Sequence, residues 1–257
     1  MNKQHLKIPS SMAIISFDNI TKHYKTGFRK KKTALRDFSL DIHDGEVFGF
    51  LGPNGAGKST AIKILLNLIF PTYGKAGILG KDVGDKEVRR YVGYLPENPY
   101  FYDYLNPIEL LSFAGKTSGM NSRKIVDRTE TLLNMVSLWN ERKRAIRSYS
   151  KGMVQRTGLA LALIHDPKIV ILDEPMTGLD PIGRRQVIDL ILKLKSEGKT
   201  IFFSSHILED IERVCDRIGM LVNGVLRRVI DFKNEQLVKS LEDTFIDEVE
   251  KAGGLQQ

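Results

Sequence analysis

The sequence has almost no cysteine and no long apolar run. Cys215 is the only cysteine in 257 residues, which excludes an internal disulfide and a cysteine-ligated metal cluster. No stretch approaches the roughly 18 consecutive apolar residues of a membrane-spanning helix. Residues 1–11 also lack the apolar segment of a signal peptide. We therefore expect a globular protein of the reducing cytosol, without a membrane span of its own.

The charge balance is basic. Lys and Arg number 39 and Asp and Glu number 31, a net charge of +8, which permits an acidic partner such as nucleic acid, anionic lipid or nucleotide. Charge alone does not choose among these partners. The run at 29–32 is predicted to be a solvated hairpin tip in preference to a lipid-facing patch. Length and a 42% hydrophobic content fit one large α/β domain, or a core with an inserted lobe.

A glycine-rich loop stands between an apolar strand and a helix. Val47–Leu51 predicts a buried strand, residues 52–60 are G-P-N-G-A-G-K-S-T, and residues 61–69 predict a helix that starts near Lys58. The loop fits the phosphate-binding pattern G-x-x-x-x-G-K-[ST], in which small residues let backbone N–H groups surround a phosphate chain. The positive N-terminal end of the helix points at the same place.

This arrangement favours binding of a nucleoside triphosphate over a plain glycine turn. Lys58 is expected to reach the outer phosphates, and the Ser59 hydroxyl to hold the accompanying magnesium ion. The predicted phosphate-loop residues are Gly52, Pro53, Asn54, Gly55, Ala56, Gly57, Lys58, Ser59 and Thr60.

Hydrolysis needs further groups at the ends of neighbouring strands. Asp173 and Glu174 directly follow the apolar strand Ile169–Leu172. We expect Asp173 to hold magnesium and Glu174 to accept a proton from the attacking water, although a pair of acids after a strand also suits a helix cap. His206 follows the strand at 201–205, from which it would donate a hydrogen bond to the terminal phosphate.

Two more stretches offer groups for a nucleotide. Glu97 lies in a proline-bounded loop after the predicted strand Val92–Leu95 and is a further candidate oxygen ligand for the metal. Ser150 to Gly152 precede a predicted helix over Val154–Ile164 and provide a second anion-binding helix start. The simplest use of that second start is contact with a nucleotide held by a partner subunit.

The periodicity is helical from Asn106 to His165, between stretches that predict strands, which indicates an inserted helical lobe. For most of the aromatic residues at 100–104 we expect a packing role. The tail at 234–252 predicts one or two acidic amphipathic helices.

Together these motifs resemble the nucleotide-binding subunit of ABC transporters over about residues 13–230. The resemblance identifies residues 52–60 with the Walker A loop and I-V-I-L-D-E at 169–174 with Walker B. S-Y-S-K-G-M-V-Q-R at 148–156 is similar to the signature stretch L-S-G-G-Q, T-G-L-D-P at 177–181 to the D-loop, and His206 to the switch histidine. Tyr24 falls where the family places an aromatic side chain on adenine, which implies ATP.

The resemblance implies a P-loop NTPase fold of the α/β class. Its core is a mixed, mainly parallel sheet flanked by helices, with an N-terminal antiparallel β portion. The implied domains are an ABC ATPase domain at 13–230, an inserted helical subdomain at about 98–166, and a helical tail at 231–257.

The resemblance also implies cofactors and partners. ATP and Mg²⁺ would be bound, with Ser59, Glu97 and Asp173 as metal ligands and Glu174 and His206 as catalytic residues. Two ABC subunits, identical or different, would pair head to tail. A transmembrane permease on a separate chain would hold the pair at the cytoplasmic face of the membrane, and no nucleic acid is expected. The contacts to the partner's nucleotide would come from Ser150, Lys151, Gly152, Met153 and Asp180.

The sequence departs from the usual family pattern in two places. Tyr149, Lys151 and Met153 stand where the signature has Leu, Gly and Gln, and Lys151 is expected either to contact phosphate or to face solvent. Glu97 stands where the family has Gln, and a carboxylate ligates magnesium at least as well as an amide. Both departures are similar to those of ABC-2-type exporter subunits, which favours export over import.

Two other functions compete with transport. A soluble ABC ATPase acting on nucleic acid would suit the positive charge, but the sequence has one Walker A loop and no heptad run. A small-molecule kinase would leave the signature stretch without a purpose.

Overall fold

The computed structural model describes residues 13–25, 27, 31–235 and 238–253. Arg29 and Lys30 of the predicted hairpin tip lie outside the described residues. In chain order the elements are β1 Ile15–Lys25, β2 Lys31–Ile42, β3 Val47–Leu51, α1 Lys58–Leu65, β4 Tyr73–Ile78, β5 Lys81–Asp82, β6 Val92–Leu95, α2 Pro107–Thr117, α3 Ser122–Met135, α4 Lys151–Leu163, β7 Ile169–Leu172, α5 Pro181–Ser196, β8 Thr200–Ser205, α6 Leu208–Val214, β9 Arg217–Val222, β10 Val225–Asp231 and α7 Leu241–Lys251. Short 3₁₀ helices span Lys86–Tyr91, Trp139–Glu141 and Ile146–Ser148.

The described strands form two sheets. A four-stranded antiparallel sheet has the order β2-β1-β4-β5, and a six-stranded sheet has the order β10-β9-β3-β8-β7-β6. In the larger sheet β10 runs antiparallel to β9, and the other neighbours are parallel. The predicted fold class, a mainly parallel sheet with an antiparallel N-terminal portion, is confirmed.

The core lies on both faces of the larger sheet. β3, β7 and β8 are buried along their whole length, as continuous apolar runs predict for central parallel strands. Between the two sheets, rings of one aromatic cluster meet edge to face with centroids 5.0 to 6.4 Å apart. Its members are Phe17, Phe38, Phe50 and Phe202. The result is a rigid platform under the carboxyl ends of the parallel strands.

These carboxyl ends bring the predicted site together. Leu51 pairs with Ser205 and Leu172 pairs with Phe203, so β3, β7 and β8 end side by side. The phosphate loop, the Asp173–Glu174 pair and His206 each begin where one of these strands stops. The topology therefore places all three at one edge of the sheet.

The end of α1 differs from the prediction. The helix stops at Leu65 and not at residue 69, because Asn67 adopts a left-handed conformation with φ 53°. The N–H groups of Leu68 and Ile69 then turn back to the carbonyl of Lys63. β4 then begins at Tyr73.

Two other helices also differ in their bounds. α4 begins at Lys151 and not at Val154, because Ser150 is its N-cap and accepts a hydrogen bond from the Met153 amide. In the tail, the described helix is α7 alone, and Ser240 caps its start. Between β6 and β7 the described elements are all helical, as expected for an inserted lobe. The exact domain boundaries stay a prediction.

Candidate nucleotide-binding site

A cleft of about 610 Å³ opens at this edge of the sheet. Its lining includes most of the residues predicted to bind nucleotide. The lining residues are Tyr24, Lys32, Ala34, Pro53, Asn54, Gly55, Ala56, Gly57, Lys58, Ser59, Thr60, Glu97 and Glu174. Gly52 is buried at the start of the loop, where the Lys58 ammonium donates to its carbonyl.

Glycine is required within the phosphate loop. Gly57 has φ 112°, and a Cβ there would lie 2.5 Å from the carbonyl oxygen of Ala34. A Cβ on Gly52 would lie 2.3 Å from the carbonyl oxygen of Leu221. No side chain caps α1, which leaves its first-turn N–H groups for an anion in the cleft.

Lys58 is buried and held in place by the loop and by a carboxylate. Its Nζ donates to the Gly52 carbonyl at 2.6 Å and lies 3.1 Å from Glu174 Oε1, an ion pair between two buried side chains. Lys58 therefore points into the same pocket as Glu174, where the outer phosphates are expected.

The predicted metal ligands are arranged around Asp173. Ser59 Oγ donates to Asp173 Oδ1 at 3.2 Å, and Ser204 Oγ donates to the same oxygen at 2.7 Å. Glu97 lines the cleft nearby. The described residues hold no cluster of three His, Cys, Asp or Glu side chains suited to a metal. A hydroxyl and carboxylates fit Mg²⁺, which takes one or two protein carboxylates and completes its shell with phosphate oxygens and water.

Burial and negative charge raise the pKa of Tyr94 beside this site. Burial, together with the nearby carboxylates of Asp173 and Glu97, raises the pKa of the Tyr94 phenol to about 12. The phenol therefore adds no charge to the metal site at neutral pH.

Glu174 and His206 form a second, linked pair. His206 Nδ1 lies 2.8 Å from Glu174 Oε2, and the Thr177 hydroxyl donates to the same oxygen at 3.3 Å. Glu174 has φ 49°, a left-handed conformation that costs free energy in a residue with a side chain. Its amide donates to Ser204 Oγ, which holds the strained backbone in place. Lys58 thus holds one carboxylate oxygen of Glu174, and His206 and Thr177 hold the other, an arrangement that would orient Glu174 as a base.

The predicted contacts to a partner's nucleotide lie outside this cleft. Ser150 caps α4, and Asp180 caps α5 by accepting from the Gly183 amide at 2.6 Å. Lys151 is exposed to solvent, and its Cδ, Cε and Nζ also lie across Gly178, within 3.0 Å of where a Cβ would be. The signature stretch and the T-G-L-D-P loop are therefore in contact, but neither reaches the phosphate loop of its own chain.

Two residues that line the cleft, Lys32 and Ala34, are not among those the sequence predicts. Lys32 belongs to the basic run that predicted a solvated tip, yet it lies on β2 opposite Tyr24 and lines the cleft. The strand alternation that also brings Ala34 to the cleft is the signal that could have found it.

Comparison with known proteins decides the family. The protein-family model described as ABC transporter matches residues 35–177, more than half of the chain. The chain belongs to the ABC transporter family. It is an ATP-binding subunit of this family.

Individual relatives agree with this assignment. An uncharacterized ABC transporter ATP-binding protein of Synechocystis sp. is 47% identical over 224 residues, which cover 86% of this chain and 63% of that relative. The chain thus spans less than two-thirds of that relative's length. The lantibiotic transport ATP-binding protein SrtF of Streptococcus pyogenes is 36% identical, over 92% of this chain and 97% of its own.

Solved structures share the fold. The dimeric, post-hydrolysis state of the ATP-binding cassette MJ0796, bound to ADP and Pi, superposes with a TM-score of 0.80 at 26% identity. The superposition covers 86% of this chain and all of that chain.

Proposed function

We propose that this chain is the ATP-hydrolysing subunit of an exporter and that it works as one half of a head-to-tail pair. One observation carries the proposal. The groups for phosphate binding and hydrolysis converge in one cleft, while the signature residues of the same chain lie outside it. A second cassette would bring its own signature stretch to this cleft and complete the site.

Each residue of the cleft has a role in this proposal. Lys58 binds the outer phosphates, and Ser59, Asp173 and Glu97 hold Mg²⁺. The metal would neutralise the charge that develops on the phosphates. Glu174 takes a proton from the attacking water. His206 donates a hydrogen bond to the terminal phosphate, and its 2.8 Å contact also keeps the Glu174 carboxylate oriented.

The same proposal assigns roles at the two ends of the nucleotide. Tyr24 stacks on adenine at the exposed end of the cleft, and Asn54 to Thr60 surround the phosphates. From the opposite cassette, Ser150, Lys151, Gly152, Met153 and Asp180 contact the same nucleotide. The dimeric structure of the similar MJ0796 cassette supports this arrangement.

Exposed aromatic residues support a membrane subunit as the further partner. Tyr100, Tyr102 and Tyr104 are 91%, 62% and 64% exposed, so the expected packing role is wrong for these three. With Phe113, which is 62% exposed, Tyr100 and Tyr102 border a groove of about 360 Å³ on the helical lobe. Exposed apolar groups around a groove are typical of a protein–protein contact. We assign this groove to the permease.

The membrane location belongs to the same proposal. Within the described residues, no helix has the length and apolar character needed to cross a bilayer. In this proposal, membrane subunits hold the pair at the cytoplasmic face of the membrane. The likeness to a lantibiotic transport protein supports export as the direction.

Glu174→Gln tests the proposal. The amide keeps the size of the carboxylate but cannot take a proton from water, and loss of a positioned base costs on the order of 10²–10⁴ in rate. We expect the variant to accumulate as an ATP–magnesium dimer, while the nucleotide-free wild type stays monomeric. Size-exclusion chromatography with light scattering measures the oligomeric state, and a phosphate-release assay measures the rate of hydrolysis.

Two results would count against the proposal. Near-normal hydrolysis by Glu174→Gln would remove Glu174 from its role and leave water activation to His206 or to the phosphate itself. If Glu174→Gln binds ATP, cannot hydrolyse it and never dimerises, the result would contradict the proposed head-to-tail pair.

A further inference from the structure

The cleft holds one cation that the phosphate-loop motif does not include. Lys32 pairs with Tyr24 across β1 and β2, and both side chains line the cleft together with Ala34. Because side chains alternate along a strand, Lys31 and Thr33 lie on the other face. Thr33 contacts His23 there, with 3.1 Å between Oγ1 and Nδ1. Lys32 therefore faces the cleft, and its neighbour Lys31 does not.

Among the residues that the structure describes, Lys32 differs from the other lysines around the cleft in having no hydrogen-bond or ion-pair partner. Lys58 is engaged by Gly52 and Glu174. Lys22 donates to the Phe70 carbonyl at 2.6 Å, with its Nζ 5.2 Å from the centroid of the Tyr24 ring. Lys32 forms no hydrogen bond or ion pair within the part of the chain that the structure describes. An exposed ammonium beside a phosphate site is available for an anion.

The position of Lys32 indicates which phosphate of a nucleotide it would contact. Tyr24 marks the adenine end of the cleft, and Lys58 marks the outer-phosphate end. Lys32 lies beside Tyr24, so the nearest negative charge on a bound nucleotide is the innermost phosphate. We propose that Lys32 binds the α-phosphate of the nucleotide held by its own chain; this rests on the proposed ATP site.

A contact to the α-phosphate makes a distinctive prediction. ATP and ADP both contain this phosphate, so Lys32 contributes equally to the affinity for each. An interaction that is the same before and during hydrolysis changes KM and leaves kcat alone.

Lys32→Ala and Lys31→Ala form a matched pair for the test. Both remove one positive charge from the same exposed end of β2, and neither removes a core contact. Titration calorimetry of the whole chain with ATP and with ADP should show about a three- to tenfold loss of affinity for both nucleotides in Lys32→Ala. Lys31→Ala should stay within about twofold of wild type, and Lys32→Arg should recover most of the loss. In steady-state hydrolysis, Lys32→Ala should raise KM.

The remaining outcomes each overturn the assignment. Unchanged affinities in Lys32→Ala remove Lys32 from the site, and loss for ATP alone moves the contact to the γ-phosphate. An equal loss of nucleotide affinity in Lys31→Ala would show that the effect comes from the overall positive charge and not from a specific contact of Lys32. Lys58→Ala is the control that distinguishes an error in the role of Lys32 from an error in the assignment of the nucleotide site. If it also keeps ATP affinity, the cleft is wrong; if it alone loses ATP affinity, only the role of Lys32 is wrong.

Discussion

Lys58 and Glu174 form a buried ion pair that holds both side chains in place. Their side chains are 6% and 9% exposed, and the charged atoms lie 3.1 Å apart. Phosphates that bind to Lys58 must replace Glu174 as its partner, and separating two buried charges costs free energy. In the proposed mechanism, nucleotide binding would therefore also free Glu174 to meet water.

Glu174→Gln should consequently tighten ATP binding to the isolated chain. The neutral amide no longer competes with phosphate for Lys58, and we expect affinity to rise about three- to tenfold. Titration calorimetry at a concentration that keeps the chain monomeric measures this. Glu197→Gln makes the same chemical change at an exposed site at the end of α5 and should leave affinity unaltered. Equal affinities in Glu174→Gln and wild type would show that the ion pair does not oppose binding.

Single residues differ in how well their sequence context predicts them. Glu174 and His206 were predicted to share an edge because each follows a buried strand, and their side chains do meet. Lys32 could not be placed in this way. Its position depends on the pairing of β1 with β2, and a run of cations does not determine the register of that pairing.

At the scale of elements, strands were easier to predict than helix ends. Val92–Leu95 and Ile169–Leu172 match their predicted bounds, because a central parallel strand needs an unbroken apolar run. Helix ends depend on single backbone conformations and caps. Asn67 ends α1 early, and Ser150 starts α4 early, although neither changes the apolar periodicity.

The early start of α4 affects how the signature stretch should be tested. Ser150→Arg removes the N-cap as well as the proposed nucleotide contact, and loss of such a cap costs about 1 kcal/mol of stability. Gly152 lies inside the first turn, where a Cβ would meet the flexible end of Leu179 at 3.3 Å. Gly152→Asp therefore places a negative charge on this face with little effect on the fold.

Gly152→Asp should leave ATP binding to the isolated chain intact and abolish cooperative hydrolysis. The added carboxylate would face the phosphates held by the partner, and like charges repel. Calorimetry and ATPase rates over a range of protein concentrations measure the two effects. Ser122→Asp adds the same charge in the first turn of α3 and should hydrolyse ATP normally. Cooperative hydrolysis by Gly152→Asp, or its failure to bind ATP as a monomer, would contradict the head-to-tail arrangement.

At the scale of the whole molecule, the edge of the sheet opposite the cleft is held by Asp216. Its carboxylate accepts from the Val47 amide at 3.0 Å and pairs with Lys195 at 2.8 Å and Lys233 at 2.9 Å. These contacts join the start of β3 to the end of α5 and to the chain after β10. Asp216 is thus a structural tie far from the nucleotide.

The pKa values of Asp216 and Glu46, both at this edge, are shifted in opposite directions. Burial alone would raise the pKa of Asp216, but hydrogen bonds from Lys195, the Val47 amide and Lys233 hold it below the ordinary 3.8. Charged Asp216 therefore stabilises the fold above that value, and the contribution is lost as pH falls through the folded pKa. Burial raises the pKa of the neighbouring Glu46 despite its contact with Arg217, so Glu46 opposes this trend.

Asp216→Asn should lower the free energy of unfolding by about 1–3 kcal/mol at neutral pH, because the amide keeps the shape but not the charge that Lys195 and Lys233 pair with. The difference from wild type should shrink as pH falls below the ordinary 3.8, because Asp216 is protonated first in the unfolded chain and then, through its lower pKa, in the folded chain. Urea unfolding between about pH 3 and 7 measures this difference in stability.

The control variant Asp189→Asn removes an exposed pairing with Arg185 and should cost less than about 1 kcal/mol at any pH. ATP affinity should be unchanged in Asp216→Asn because the phosphate loop lies at the other end of β3. A stability loss independent of pH would mean that Asp216 acts through its shape and not its charge.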